Sequence, residues 1–485
     1  MKLPPPAALL SLLALAAAQA APLQIRVATF NTLLTRDTEG LLATQLNTAG
    51  NNHAKRIAEI VQRVRPDIIL INEFDYDAAN PTRSPDRFHT NYLGLPQNGQ
   101  AAISYPYRYA APTNTGEPSG FDLDNANGIV SVSGTPEYAG DCYGFGEFPG
   151  KYGFAVYSKY PIQTSAIRSF RMFKWQDMPG HVVPPGFYSA AELAVFRLSS
   201  KNHVDLPIEV KPGHVLHLLA SHPTPPVFDT AEDRNGRRNH DEIRLWADYI
   251  SGATWLYDDA GATGGLAAGQ RFIVLGDMNA DPLDGDSFQG AINQLRNHAL
   301  VNSAPNPASL GGPVKAAQQG GVNTSQLGDP AYDTSDFNDF TGGAGNLRID
   351  HVLPSKVGFS VTASGVFWPV DSDPAVSPIY RSDLQATQTS DHRLVWLDLT
   401  VLPLLSEAVR DFTETKQGSD IVLTWGTQSG VSYKVESSPD LAAWSDTPAI
   451  PVILNAAAQT AIATDAGGAG ATRKFYRIAA TLDAP

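Results

Sequence analysis

The sequence predicts an α+β fold with buried strands, followed by a small all-β domain, and two observations carry the prediction. Short apolar runs rich in Ile, Val and Leu each end in polar residues, as strands buried on both faces do where they reach the edge of a sheet. Segments with apolar residues at helical spacing lie between them, and after residue 402 these give way to short alternating β-rich runs.

At the start of the chain, Lys2, an apolar run from Ala7 to Ala18 and the small-residue site Ala18-Gln19-Ala20 read as a secretory signal over residues 1–20. A secreted or periplasmic protein is therefore expected. Ile25–Phe30 runs into Asn31, and the spacing of Ile57, Ile60, Val61 and Val64 predicts a helix that Arg65-Pro66-Asp67 ends. The next strand, Ile68–Ile71, delivers Asn72 and Glu73. A carboxylate at such a strand end is either a solvated edge group or a metal ligand, and it becomes the ligand where other oxygen donors converge on it.

Residues 80–150 are rich in Gly, Pro, Asn and Asp, as long surface loops are. Asp122–Gly128 has the look of a calcium loop, but the twelfth position counted from Asp122 is Ser133 instead of Glu, which argues against an EF-hand. Within Phe148–Pro161, Lys151 and Tyr152 either offer donors to a phosphate or serve as a surface lysine and a packed tyrosine. Val215–Ala220 leads into Ser221 and His222, and prolines hold the backbone just beyond. A histidine so placed is either structural or a hydrogen-bond donor to a phosphate oxygen. Ile243, Trp246, Tyr249 and Ile250 form the apolar stripe of a following helix, with Arg234, Arg237 and Arg238 expected ahead of it. These arginines are either solvated charges or part of an anion site.

The central stretch is Arg271–Asn279, in which four apolar residues, Phe272 to Leu275, are followed by a turn at Gly276 that sends Asp277 and Asn279 into one cleft. Residues 300–345 form a second Gly, Asn and Pro-rich excursion expected to border that cleft. Leu347–Ile349 then reads as a strand that ends in Asp350 and His351, and Ser390-Asp391-His392 leads into the strand Leu394–Val401. Leu402–Ser406 marks a boundary, which separates an expected domain of residues 23–402 from one of residues 406–485.

Composition narrows the function. A net charge of −14 disfavours a general binder of nucleic acid or anionic membranes and leaves room for one local basic cleft. No later segment approaches a membrane span, and no obligate partner is evident, so a monomer is expected. Cys142 is the only cysteine, which removes an internal disulfide and fits a packed small residue better than a nucleophile.

The ordered set Asn31, Glu73, His222, Asp277-x-Asn279, Asp350 and Asp391-His392, with its strand context, resembles the endonuclease/exonuclease/phosphatase family of metal-dependent phosphoesterases. That family includes secreted deoxyribonucleases, abasic-site endonucleases, sphingomyelinases and inositol-polyphosphate phosphatases. The resemblance covers residues 23–402 and implies a four-layer α/β/β/α sandwich. It implies Mg²⁺ or Mn²⁺ as cofactor, with Asn31, Glu73 and Asp391 as metal residues and His222, Asp277, Asn279, Asp350 and His392 as catalytic ones. Tyr152, Arg234, Arg237 and Arg238 are the expected substrate contacts. The substrate is a phosphate ester, in a nucleic acid or a small phosphorylated molecule. Hydrolysis of a diester is the first reading, action on sugar, inositol or lipid monoesters the second, and a binding module without catalysis the third. Thr424-Trp425 and Tyr433–Ser438 are similar to accessory modules at the C-termini of secreted bacterial proteins.

Overall fold

The computed structural model describes residues 22–379, 388–404, 409–427, 431–446, 449–455, 460–471 and 474–482. The export signal read at residues 1–20 lies outside the described residues, as do positions 405–408 at the expected boundary. Two compact units divide the chain, one of them Leu23–Leu402 and the other containing Pro403–Pro485.

The strands of the first unit are β1 (Gln24–Asn31), β2 (Ile68–Asn72), β3 (Tyr107–Ala110), β4 (Phe154–Ser158), β5 (Arg168–Ser169), β6 (His203–Lys211), β7 (His214–Ser221), β8 (Phe272–Asp277), β9 (Ser335–Asp336), β10 (Asn346–Leu347), β11 (Asp350–Pro354), β12 (Phe359–Val366) and β13 (Val395–Val401). One sheet has the order β12-β13-β1-β2-β4-β3 and a second has the order β11-β8-β7-β6-β5, while β9 and β10 form a separate ribbon. Within the two large sheets only β1·β2 and β7·β8 are parallel. Each parallel pair needs a crossover, and a helix lies in each connection: Asn52–Val64 between β1 and β2, Arg234–Ile250 between β7 and β8.

The first of these helices begins where the Asn51 side chain accepts from Ala54 N, and it ends at Arg65, whose left-handed φ of 57° precedes Pro66. Residues on alternate sides of each strand enter different cores. Val27, Leu70, Leu218 and Ile273 share the core between the two sheets. Phe30, Ile69 and Ile71 pack with Ile57, Ile60 and Val61 of the first helix, and Leu219 and Val274 pack with Ile243, Trp246 and Tyr249 of the second. Three apolar layers between four structural layers make this the α/β/β/α sandwich. Fully burying each such side chain contributes about 1.5–3 kcal/mol, which explains why the strands read as continuous apolar runs.

Leu347–Ile349 is not one strand ending in Asp350. Leu347 closes β10, and Asp350 opens β11, which runs antiparallel to β8 with Asp350 opposite Asp277. Ahead of the Asp122–Gly128 turn there is no helix to make an EF-hand: the nearest preceding helical segment, within Arg83–Leu93, lies some way before it. Cys142 is buried, its Sγ donates to Tyr138 O at 3.2 Å, and burial pushes the thiol up to about 12.

The second unit is all-β among its described residues. Its strands are β14 (Arg410–Gln417), β15 (Asp420–Gly426), β16 (Val431–Ser438), β17 (Val452–Asn455), β18 (Thr460–Asp465) and β19 (Phe475–Leu482). They form the antiparallel sheets β14-β15-β18-β17 and β16-β19. Leu423, Trp425 and Ala463 of one sheet share a core with Val435 of the other.

Candidate active site

The parallel pairs set the site. β1 and β2 end side by side at Asn31 and Asn72, while β7 and β8 end at Ser221 and Asp277. These ends meet at one edge of the sandwich, where Asn72 pins the two sheets together. Its Nδ2 donates to Ser221 O at 3.4 Å and its Oδ1 accepts from Asp277 N at 3.3 Å. Within the second sheet, the close approach of β8 to the end of β7 requires Gly276, with φ 146°, because a Cβ there would stand 2.0 Å from Ser221 O. Two non-glycine residues beside this edge, Glu73 (φ 56°) and Asn279 (φ 50°), adopt left-handed backbone, a strained conformation that collects at functional sites.

Donors surround Asp277. Asn31 Nδ2 donates to its Oδ2 at 2.9 Å, His222 Nε2 lies 3.3 Å and His392 Nε2 3.6 Å from the same oxygen, and Asn279 N donates to Oδ1 at 2.9 Å. Burial works to raise this carboxyl, but the charge of His392 and the bonds from His222 and Asn31 overcome it and hold Asp277 well below the usual carboxylate range. Behind His392, its Nδ1 pairs with Asp350 Oδ2 at 2.8 Å, and Thr334 Oγ1 donates to that oxygen at 2.9 Å. Burial opposes a charge on His392, yet Asp350 and then Asp277 raise it well above the ordinary imidazole range. The proton between Asp350 and His392 therefore resides on the imidazole, which is flanked by two carboxylates. His392 is further fixed by its backbone N, which donates to Ser390 Oγ at 3.1 Å, while Ser390 Oγ donates to Asn31 O at 2.7 Å.

Glu73 lies on the other side of Asn31, whose Nδ2 reaches Glu73 Oε1 at 3.2 Å. Its second oxygen, Oε2, is buried with no hydrogen-bond partner. Burial and then the charge of Asp391 push Glu73 up to about 7. An unpartnered carboxylate oxygen, a second carboxylate acting on it and a neighbouring amide oxygen form a hard-donor set that fits a divalent cation such as Mg²⁺ or Mn²⁺. Asp277, Asp350 and His392 also bring ligand atoms within 4.8 Å of one another, with both nitrogens of His392 turned to carboxylates.

The remaining expected residues divide. Tyr152, with φ 58°, is joined to the Glu73 loop by its N, which donates to Asp75 Oδ1 at 3.3 Å, and the Glu73 charge acts on its hydroxyl. Lys151 is buried in an ion pair with Glu147 at 2.7 Å and lies over the Tyr152 ring. The three arginines do not join the site. They do not precede the helix but occupy its first turns, since Arg234 opens it. Arg238 is buried and donates to the carbonyls of Leu198, Tyr143 and Arg197, a structural use that leaves no face for substrate. Arg234 pairs with Glu232, and Arg237 donates to Glu232 O and Val182 O. The anion position at the helix start is already taken, because Asp229 Oδ2 accepts from Asn235 N at 2.6 Å. Thr334, which steadies Asp350, and Lys201, buried beside His222, were not expected; both come from segments without a periodic pattern. Asn72 sat in plain view between Ile71 and Glu73, yet its bridging role appears only when the second sheet is in place.

The model of the endonuclease/exonuclease/phosphatase family matches residues 28–392. The chain belongs to this family. Its members are generally hydrolases of phosphate esters that typically depend on a divalent metal. Solved structures similar to the chain include an endonuclease/exonuclease/phosphatase from Beutenbergia cavernae DSM 12333, at 17% identity and TM-score 0.43, covering 95% of this chain and 93% of that one. An endonuclease/exonuclease/phosphatase family protein from Leptotrichia buccalis C-1013-b matches at 11% identity and TM-score 0.38, over 77% of this chain and 99% of that one. Truncated Caenorhabditis elegans TDP2 matches at 13% identity and TM-score 0.35, over 78% and 98%. Among curated proteins none matches. No helix of the described residues is long and apolar enough to cross a membrane.

Proposed function

We propose that the protein is an exported Mg²⁺- or Mn²⁺-dependent phosphoesterase that hydrolyses a phosphodiester, as a nuclease does, by direct in-line attack of water. The observation that carries this reading is the buried run Asp350–His392–Asp277, flanked by Asn31 and His222. Held by Glu73, Asn31 and Asp391, the cation would supply neutralising charge at the phosphoryl oxygens. Asp277, ionised and surrounded by donors, is a weak base and acts by orienting the attacking water. The protonated His392 directs its Nε2 toward the site and supplies charge and a proton to the phosphoryl and leaving oxygens, while Asp350 fixes its tautomer. Asn279 holds the phosphoryl group from the opposite side, His222 steadies Asp277 through its Nε2, and Tyr152 closes the Glu73 end.

A second reading, action on a small sugar, inositol or lipid monoester, is favoured by the occupied arginines. Arg238 is buried on backbone carbonyls, and Arg234 and Arg237 are engaged with Glu232 and with the carbonyls of Glu232 and Val182, so none is aimed at the site to follow a long anionic backbone. The C-terminal unit holds none of the site residues and is assigned an accessory role. The test is hydrolysis by the purified full chain, with Mg²⁺ or Mn²⁺, of DNA, RNA, phospholipid and small phosphate mono- and diesters. Turnover of DNA or a small diester supports the first reading, and turnover of monoesters alone supports the second. Inertness toward every phosphate ester would overturn both.

A further inference from the structure

Lys201 lies in Ser199-Ser200-Lys201-Asn202, directly before β6, and is only 6% exposed, an unusual place for an ammonium group. Its Nζ donates to Pro223 O at 3.4 Å, the same carbonyl that accepts from Asn279 Nδ2 at 3.1 Å. One buried carboxylate on the second crossover helix clamps both flanking segments: Glu242 Oε1 accepts from Ser200 N and Oγ, and its Oε2 accepts from Thr224 N. Lys201 and His222 are thereby held on neighbouring, rigid backbone.

His222 has its Nε2 on Asp277 Oδ2, while its Nδ1 is buried with no hydrogen-bond partner. An ionised carboxylate only accepts, so Nε2 carries the hydrogen and Nδ1 keeps its lone pair. The charged groups acting on the ring are Lys201, Asp277 and His392; those acting on Lys201 are Glu242, Asp277, Glu73 and Arg238. Burial, and next the Lys201 charge, push His222 down to about 4.

Resting on the phosphoesterase reading of the same site, we infer that Lys201 is a positioning residue, whose ammonium holds the Pro223 carbonyl against which Asn279 is set and, from that place beside the His222 backbone, keeps the ring in the neutral form that gives its single Nε2 hydrogen to Asp277. Without that cation, the Pro223 carbonyl loses a donor and the imidazole takes up its second proton at a higher pH than in the parent, which adds positive charge next to Asp277. Lys201 touches no reacting atom in this account and acts through His222 and Asn279.

The experiment is nitrogen NMR of the full chain labelled with ¹⁵N-histidine, the His222 signals being assigned by their loss in His222→Gln. In the parent, His222 should be protonated at Nε2 and unprotonated at Nδ1 from about pH 5 to about pH 8, against an ordinary histidine that changes charge in that range. Lys201→Met should raise the His222 titration by about one pH unit or more and lower kcat by roughly tenfold, with KM little changed; Lys201→Arg, which keeps the charge, should restore both. A parent with its proton on Nδ1 would overturn the inference, whether or not the methionine variant folds. So would a folded Lys201→Met with an unchanged His222 titration. A protein that shows the tautomer and the shift but cleaves no phosphate ester would support the Lys201 assignment and overturn the functional one.

Discussion

Asp277 and Asp350 stand opposite each other on the antiparallel strands β8 and β11, and His392 spans them, with Nδ1 2.8 Å from Asp350 and Nε2 3.6 Å from Asp277. The register that pairs the two strands thus sets the spacing of two carboxylates to the width of one imidazole. Because both strands are buried on both faces and their successive side chains enter two different cores, the arrangement is preorganised by the core of the fold.

Glu73 supplies the first test. Its unpartnered Oε2 contributes no protein hydrogen bond, so replacing it removes a metal donor without removing a structural contact. Titration calorimetry with Mn²⁺ should show affinity reduced by roughly tenfold or more in Glu73→Gln, and thermal unfolding without metal should show no loss of stability. Equal affinity in the variant and the parent would remove Glu73 from the metal residues.

Asp333 gives a pH-dependent expectation away from the chemistry. Burial, and next the charges of Asp281, Asp284 and Asp329, raise its carboxyl to about 7. A carboxyl raised in the fold prefers its proton there, so its contribution to stability is complete below its unfolded value of about 4 and is lost as pH rises toward 7. Asp333→Asn should therefore unfold at a higher temperature than the parent at about pH 8, and the difference should vanish near pH 4. A variant less stable than the parent at pH 8 would contradict this.

Gly276 tests the close approach of β7 and β8 within one sheet. A methyl group at this position meets the Ser221 carbonyl on backbone that L residues rarely adopt. Gly276→Ala should lose at least about 1–3 kcal/mol in chemical denaturation, the cost of an overpacked and strained contact. Unchanged stability would show that the β7–β8 edge can yield.

Much of the site was legible because strands buried on both faces leave a simple trace, an apolar run that stops at a polar residue. Asn31, Glu73, His222 and Asp277 all follow that trace, and the structure gathers them at one edge. Asp350 broke it. As the first residue of an antiparallel strand it is preceded by the short ribbon β9–β10, so reading forward from Leu347 misplaced the strand by half. Arg238 reads as a candidate anion contact because it is expected just ahead of a helix start, but its acceptors are carbonyls of Tyr143, Arg197 and Leu198, which are brought to it only by tertiary structure. Lys201 and Thr334 were silent for the same reason: each acts on a partner contributed by a different part of the chain, and neither lies in a segment with a period to mark it.

The most direct test of the account is steady-state hydrolysis of a small phosphodiester with Mn²⁺ by the parent, Asp277→Asn, His392→Ala and Asp350→Asn, each checked for its melting temperature. His392→Ala and Asp277→Asn should lower kcat and kcat/KM together by roughly 10²-fold or more, as expected where an interaction made in the transition state is removed. Asp350→Asn should show a smaller loss, since the imidazole remains while its orientation is weakened. If folded His392→Ala and Asp277→Asn turned over the diester as fast as the parent, the catalytic role assigned to this edge of the sandwich would be wrong.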